Sequence, residues 1–449
     1  MSKLFGTDGV RGIANTELTP ELALALGRAA AQVLGGGASR PRVMVGRDTR
    51  ASGDMLASAL AAGLLSAGAD VIRGRVLPTP AVAFLVTELS ASAGAVISAS
   101  HNPSEDNGIK FFGSDGFKLS DTQEQQIENQ LDSNFSRPTG AGIGRLEFVP
   151  DANDRYVDHA LKALEGRSLA GLKIVMDCAH GAAYKTSPQA LSQTGAEVIV
   201  IGDKPDGLNI NEGGGSLQPE TVAEQVLASG ANLGLAHDGD ADRVIAVDEK
   251  GQVVDGDAML AALALELSGE GKLFGNQVVT TVMANLGFRK AMEGAGISVI
   301  ETAVGDRFVL EAMCQNGAVL GGEQSGHLIF LNWSTTGDGL VTGLRLAGLM
   351  ASTGKPLSEI AAQCPRFPQV LSNIKVTGKE RLANCDPIWK AVEQEQIKLG
   401  STGRVLVRPS GTEQLVRVMV EAPDDSTASA VANHISQVVR EELATLPAI

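Results

Sequence analysis

Short apolar runs that end in polar, glycine-rich loops recur along the chain in a fixed order. Each round opens with an apolar run, at residues 42–45, 173–176 and 277–283, and each run predicts a buried strand. A helix-like stretch follows, clearest at residues 53–66, where apolar positions keep helical spacing. A second strand is then opened by glycine, at Gly68, Gly195 and Gly296. A third strand runs into a loop and a fourth leaves it, at residues 94–97 and 109–112, 233–236 and 244–247, and 318–320 and 328–331. The residues able to do chemistry sit at the same step of all three rounds, directly after the third strand. Beyond residue 369 the pattern changes: strands at 369–376, 403–407 and 415–420 are interleaved with helices at 386–398 and 426–443.

This pattern predicts an α/β protein with three repeated mixed-sheet α/β domains plus a smaller C-terminal α+β domain around a central cleft. The boundaries fall at 1–150, 151–253, 254–368 and 369–449. A chain of 449 residues exceeds one ordinary hydrophobic core, which agrees with several domains.

Composition narrows the partners. The formal net charge of −15 argues against nucleic acid or an anionic membrane as the main partner. An anionic ligand would need a local basic cleft, and Arg11, Lys110, Arg243, Arg307, Arg408 and Arg417 lie in or beside the loops. Cys178, Cys314, Cys364 and Cys385 show no metal-site spacing and read as reduced packing residues. With no signal-peptide pattern and no apolar stretch of membrane-spanning length, a cytoplasmic protein is expected.

Four loops carry the chemistry. Asp238, Asp240 and Asp242 alternate with small residues after a strand, a pattern suited to a hard cation. Glu249 falls where an EF-hand has its twelfth ligand, but Arg243 occupies the position that needs glycine, so that reading fails. Mg²⁺ suits the run because it takes few carboxylates and fills its shell with phosphate or water. Ser100, followed by His101, lies after the first third strand without the G-x-S-x-G setting of a hydrolase. Beside the aspartates it reads as a phosphate-carrying serine whose phosphoryl oxygen ligates the metal. Its neighbour Ser98 should face elsewhere by strand alternation. Arg408, Ser410, Gly411 and Thr412, with Arg417 on the next strand, offer a guanidinium fork, hydroxyls and a backbone anion nest. Glu323 and Ser325, two apart in a glycine-rich loop before His327, can read vicinal sugar hydroxyls. The segment 5–12 is too glycine-rich for a plain strand and brings Arg11 toward the cleft.

In this order, the runs 98–103, 238–243, 322–327 and 408–413 resemble the α-D-phosphohexomutase superfamily over essentially the whole chain. The segment 5–12 and the sugar loop 322–327 are similar to its amino-sugar branch. The resemblance implies four domains and interconversion of glucosamine 6-phosphate and glucosamine 1-phosphate, a step toward UDP-N-acetylglucosamine and cell-wall precursors. It implies phosphoserine at Ser100, one Mg²⁺ per chain held by Ser100, Asp238, Asp240 and Asp242, and a 1,6-bisphosphate intermediate that turns over within the cleft. Arg243, Glu323, Ser325 and His327 are then expected on the sugar, and Arg408, Ser410, Gly411, Thr412 and Arg417 on the phosphate that is not reacting. By position, Lys110 and His101 are the acid–base candidates, and Arg11 is electrostatic because its guanidinium stays protonated. A homodimer is a family-level expectation. The nearest alternative is a superfamily member acting on glucose or mannose phosphates; a Mg²⁺-dependent sugar phosphatase and a non-catalytic sugar-phosphate binder are further ones.

Overall fold

The computed structural model describes residues 4–6, 8–35, 40–131, 133, 135–410 and 414–443. The first sheet is built from β1 (Val10–Ile13), β2 (Arg42–Arg47), β3 (Asp70–Val76), β4 (Ala93–Ile97), β5 (Asp106–Gly113) and β6 (Leu146–Phe148), in the order β1-β5-β4-β2-β3-β6. The second holds β7 (Lys173–Asp177), β8 (Glu197–Ile201), β9 (Leu233–His237), β10 (Val244–Asp248) and β11 (Val253–Val254), in the order β11-β10-β9-β7-β8. The third holds β12 (Gln277–Thr281), β13 (Ser298–Thr302), β14 (Leu320–Gly322) and β15 (Leu328–Phe330), in the order β13-β12-β14-β15.

Stripped of edge strands, the three sheets share one topology. The opening strand pairs parallel with the second and third strands, and the third pairs antiparallel with the fourth. Such parallel pairs need crossover helices on the sheet faces, which is why β4 and β9 are buried at every residue. Each repeat has its own apolar cluster, around Leu26 and Leu60, around Val175 and Val222, and around Val279 and Val309.

The fourth sheet is antiparallel, in the order β16 (Gln369–Lys375), β18 (Leu415–Glu421), β17 (Arg404–Pro409). Helices Asp386–Leu399 and Asp425–Leu443 cover it over a cluster that includes Val418 and Ile435. Strand β17 runs two residues further than the apolar pattern predicts, so Arg408 is a strand residue, not a loop residue. The chain forms two compact units, Met1–Met283 with Ala295–Gln363, and Ala284–Gly294 with Cys364–Ile449. The helix Leu286–Gly294, sequentially part of the third repeat, thus belongs to the C-terminal unit. Among the described residues, no helix is long and apolar enough to cross a membrane.

Candidate active site

The loops after β4, β9 and β14 meet within the first unit. Each contains a residue with left-handed backbone: Ser100 at φ 53°, Ala241 at φ 57° and Gly326 at φ 87°. For Ser100 and Ala241 this is a strained conformation of the kind stored at functional sites. Gly326 is required, since a Cβ there would drive into the Val244 carbonyl. Gly239 is required for another reason: a Cβ would lie 2.5 Å from the Ser100 carbonyl oxygen, so glycine lets the aspartate loop approach the serine loop.

The Ser100 hydroxyl is buried and donates to Asp238 Oδ2 at 2.6 Å, and His101 Nδ1 lies 3.4 Å away. Ser98 does face elsewhere: its hydroxyl donates to Asp48 at 2.6 Å while its oxygen accepts the Ser100 N–H at 3.0 Å. Asp238, Asp240 and Asp242 are all buried, with ligand oxygens within 4.8 Å of one another. Burial and the two neighbouring carboxylates push the Asp238 pKa well up. Asp240 Oδ2 accepts from the Thr79 hydroxyl at 2.6 Å and from Lys110 Nζ at 2.9 Å, but its Oδ1 and Asp242 Oδ1 are buried without a hydrogen-bond partner. Two orphaned carboxylate oxygens beside a third, destabilised carboxylate fit a divalent cation.

The cations behind this cluster are not where sequence reasoning expects them. Lys110 is buried between Asp8 at 2.8 Å and Asp240 at 2.9 Å. Burial would lower its pKa, yet Asp240, Asp8 and Asp242 raise it, so the ammonium stays charged between these carboxylates. Lys118, which sequence reasoning missed, bridges Asp8 at 2.8 Å and Asp306. Asp8 also pairs with Arg11. Burial would raise Asp8, but Lys110, Lys118 and Arg11 hold its carboxyl well below the usual range.

His327 is also displaced from its expected role on the sugar. It is buried between Asp242 at 3.6 Å and Asp306 at 3.6 Å, and the Gly337 N–H donates to its Nε2 at 3.0 Å. Burial would lower its pKa and the two carboxylates raise it. The Gly337 bond nevertheless needs a lone pair on Nε2, which assigns the neutral Nδ1–H tautomer with its proton toward Asp242. Burial would raise Asp242, but the His327 N–H and the charges of Lys110 and Arg243 hold it far below the usual carboxylate range. His327 therefore positions a carboxylate.

A cavity of about 480 Å³ opens over the cluster, lined by Arg11, His101, Asp242, Arg243, Asp306 and Glu323 among others. Burial, Arg243 and Arg11 push the His101 pKa down, which leaves a neutral imidazole able to take a proton. Arg243 Nε is buried without a hydrogen-bond partner. Glu323 accepts from the Gly305 N–H at 3.1 Å, and Ser325 is exposed. Arg307 is not part of this cavity's wall; it pairs with Asp121 at 2.8 Å and Glu311 at 3.0 Å.

One anchor of the serine loop was missed entirely. Arg50, fully buried, binds Asp48 through Nε at 2.9 Å and donates to the carbonyls of Ser100 at 3.0 Å, Asn102 at 2.8 Å, Asp106 at 3.1 Å and Pro103. The signal that would have found it is the run Arg47-Asp48-Thr49-Arg50, three charges directly after a buried strand.

In the second unit, Arg408 and Arg417 are directly opposite in the β17–β18 register. Like charges across an antiparallel pair repel, an arrangement suited to a bound anion. Burial and Arg417 push the Arg408 pKa down. The buried Ser410 follows, its N–H donating to Leu415 at 2.9 Å and its carbonyl accepting from Lys379 at 2.8 Å. Gly411 and Thr412 lie outside the described residues.

Comparison with known proteins agrees with this layout. Family models described as phosphoglucomutase/phosphomannomutase match in order: α/β/α domain I at residues 2–137, domain II at 154–251, domain III at 255–367 and the C-terminal domain at 371–438. A phosphoglucosamine mutase of Arthrobacter sp. (strain FB24) is 54% identical, with 100% of each chain covered. A crystal structure of a phosphoglucomutase/phosphomannomutase family protein from Burkholderia thailandensis superposes with TM-score 0.83 at 25% identity, covering 100% of each chain. An N-acetylphosphoglucosamine mutase of Aspergillus fumigatus, in complex with GlcNAc-6P and magnesium, shares the fold at TM-score 0.65 and 18% identity over 98% of this chain and 96% of that one. Four domain matches in sequence, and a relative identical at more than half of its positions from end to end, mean that the chain belongs to the phosphoglucomutase/phosphomannomutase family of the α-D-phosphohexomutase superfamily, on its phosphoglucosamine mutase branch.

Proposed function

We propose that the chain is an isomerase that interconverts glucosamine 6-phosphate and glucosamine 1-phosphate, with Ser100 as the phosphoryl carrier. The observation that carries this reading is the Ser100 hydroxyl, held in a left-handed turn at 2.6 Å from one of three clustered, buried aspartates. The identity to a relative named phosphoglucosamine mutase supports the choice of sugar. Asp238, Asp240 and Asp242, with an oxygen of phosphorylated Ser100, would hold one Mg²⁺; bound there, it supplies positive charge to the transferring phosphoryl group.

The chain's own groups divide the remaining work. In the forward direction the bond from phosphorus to Ser100 Oγ breaks and one to the sugar O1 forms, giving glucosamine 1,6-bisphosphate. Neutral His101, its Nδ1 3.4 Å from Ser100 Oγ, takes the proton leaving O1 and returns it to Ser100 Oγ. The bisphosphate then presents its 6-phosphoryl to Ser100, and the steps run in reverse. Arg11 and Arg243 line the cavity as permanent cations for the phosphate oxygens, with Glu323 beside them, and Glu323 and Ser325 are assigned to the sugar hydroxyls. Lys110 and His327 hold the aspartates in place. Arg408, Ser410 and Arg417, with Gly411 and Thr412, are assigned the phosphate that is not reacting. The domain limits 1–150, 151–253, 254–368 and 369–449 belong to the same reading, as does a cytoplasmic location, where the four free cysteines stay reduced.

Phosphosite mapping by intact mass, together with turnover of glucosamine, glucose and mannose 1-phosphates, tests this. Active enzyme should carry one phosphate at Ser100, lose turnover on Ser100→Ala, and prefer glucosamine. An active Ser100→Ala variant, equal rates on glucose or mannose, or net release of phosphate would overturn it.

A further inference from the structure

A second cavity, of about 490 Å³, shares no lining residue with the first. Its walls carry Arg47, Arg73, Arg75 and Lys185, with Phe148 and Tyr184 beside them, and no carboxylate among the described lining residues. In a chain of net charge −15, four cations facing one hollow need an explanation. Asp54 at the margin accounts for part of the charge: it pairs with Arg47 at 2.8 Å and Arg73 at 3.3 Å. Arg75 and Lys185 pair with no carboxylate among the described residues. The Arg75 guanidinium lies 5.6 Å from the Phe148 ring centre, and the Lys185 ammonium 5.3 Å from that of Tyr184.

The backbone is bent to make this arrangement. Strand β3 carries an extra residue against β2: Val45 faces Arg73 but Gly46 faces Arg75. The bulge puts Arg75 at φ 62°, a left-handed conformation costly for arginine. A bulge of this kind re-aims a side chain, and here the re-aimed side chain is a cation on the cavity wall. The first turn of the helix Ala152–Leu161 also lines the cavity, and its N-cap residue Asp151 makes no side-chain cap.

We propose that this cavity binds a nucleoside diphosphate, with the diphosphate on Arg47, Arg73, Arg75 and Lys185 and the base against Phe148 and Tyr184. A volume of about 490 Å³ is too large for inorganic phosphate alone and lies within the range of small-molecule sites. Four donors from two strand ends and a loop suit two linked phosphates better than one.

Calorimetric titration of the full-length protein at low ionic strength tests this, with uridine diphosphate, adenosine diphosphate and pyrophosphate as probes. At least one nucleotide should bind, more tightly than pyrophosphate. The exposed-residue double variant Arg75→Glu/Lys185→Glu should weaken that binding roughly tenfold or more while mutase turnover stays at the wild-type rate. No binding of any probe, or nucleotide binding untouched by the double variant, would overturn the site. Pyrophosphate binding as tightly as both nucleotides would overturn the role given to the rings.

Discussion

Replacing Arg50 by methionine removes the guanidinium that holds both Asp48 and the carbonyls of the Ser100 loop. Both partners of the Arg50–Asp48 pair are fully buried, so the variant strands a carboxylate out of water. Breaking a buried pair from one side costs about 3–5 kcal/mol. Asp48 keeps the Ser98 hydroxyl at 2.6 Å and the backbone N–H of residue 50 at 2.9 Å, which favours the lower half of that range. The carbonyls of Ser100 and Asn102 keep Asn211 Nδ2, at 2.9 and 3.1 Å, and that of Pro103 keeps the Asp106 N–H at 3.2 Å, whereas that of Asp106 loses the Arg50 donor. The half-exposed Asp106 carbonyl adds about 1–2 kcal/mol, the lower part of the cost of a buried acceptor left bare. The sum, about 4–6 kcal/mol, is a large share of the roughly 5–15 kcal/mol that keeps a domain folded. Urea unfolding followed by hydrogen exchange of peptides covering residues 98–108 would read it, because exchange isolates this loop from the other domains. Turnover of the folded fraction should fall about 100-fold, since the serine is no longer held to within an ångström. Adding Asp48→Asn removes the stranded charge and should return about 2 kcal/mol or more. A single variant that loses less than about 1 kcal/mol, or a double variant no more stable than the single, would refute the reasoning.

Chelation with EDTA should abolish turnover and Mg²⁺ restore it, and Asp242→Asn should raise the Mg²⁺ needed for half-activity by about tenfold or more; activity indifferent to chelator would contradict the metal assignment. Gly239→Ala forces a methyl to within 2.5 Å of the Ser100 carbonyl and should cost about 1–3 kcal/mol and most of the activity, measurable by thermal unfolding and initial rates. Burial raises Asp338 to about 6, although it accepts from Tyr156 at 2.8 Å and Val341 N–H at 2.9 Å. Its proton is held more tightly in the folded state, so its contribution to stability is full below about pH 4 and is lost as pH rises through about 6. Asp338→Asn should therefore gain on the wild type by up to about 3 kcal/mol between pH 4 and pH 7.5; urea midpoints that shift in parallel at both pH values would reject this.

The repeated sheets were legible because their central strands are buried on both faces, so β4 and β9 stand out as unbroken apolar runs that stop at polar loops. The serine and the aspartates were legible for the same reason, lying at strand ends with small residues between them. What the sequence hid is pairing at long range. Asp8, Lys118, Asp306 and Arg50 are ordinary charged residues in their local segments, and only the fold brings Lys118 to Asp306 or Arg50 to the Ser100 loop. Lys110 and His327 were expected at the cavity but are buried against Asp240 and Asp242, since sequence spacing does not distinguish a group facing a cavity from one packed behind it. Arg408 was read as a loop residue because the apolar run stops at Val407, whereas the strand continues to Pro409, and proline fits the last position of an edge strand.

The charge network beneath the cavity has a consequence for how such a protein can change over generations. Each repeat has an apolar cluster built almost wholly from its own side chains, Phe117 of the first reaching that of the third. At the loops that separation ends: Asp240 from the second repeat is matched by Lys110 from the first, and Lys118 from the first by Asp306 from the third. Asp242 from the second repeat likewise lies 3.6 Å from His327 of the third. A charge altered in one repeat leaves an uncompensated charge in another, so the three copies can diverge in their cores separately but in their loops only together.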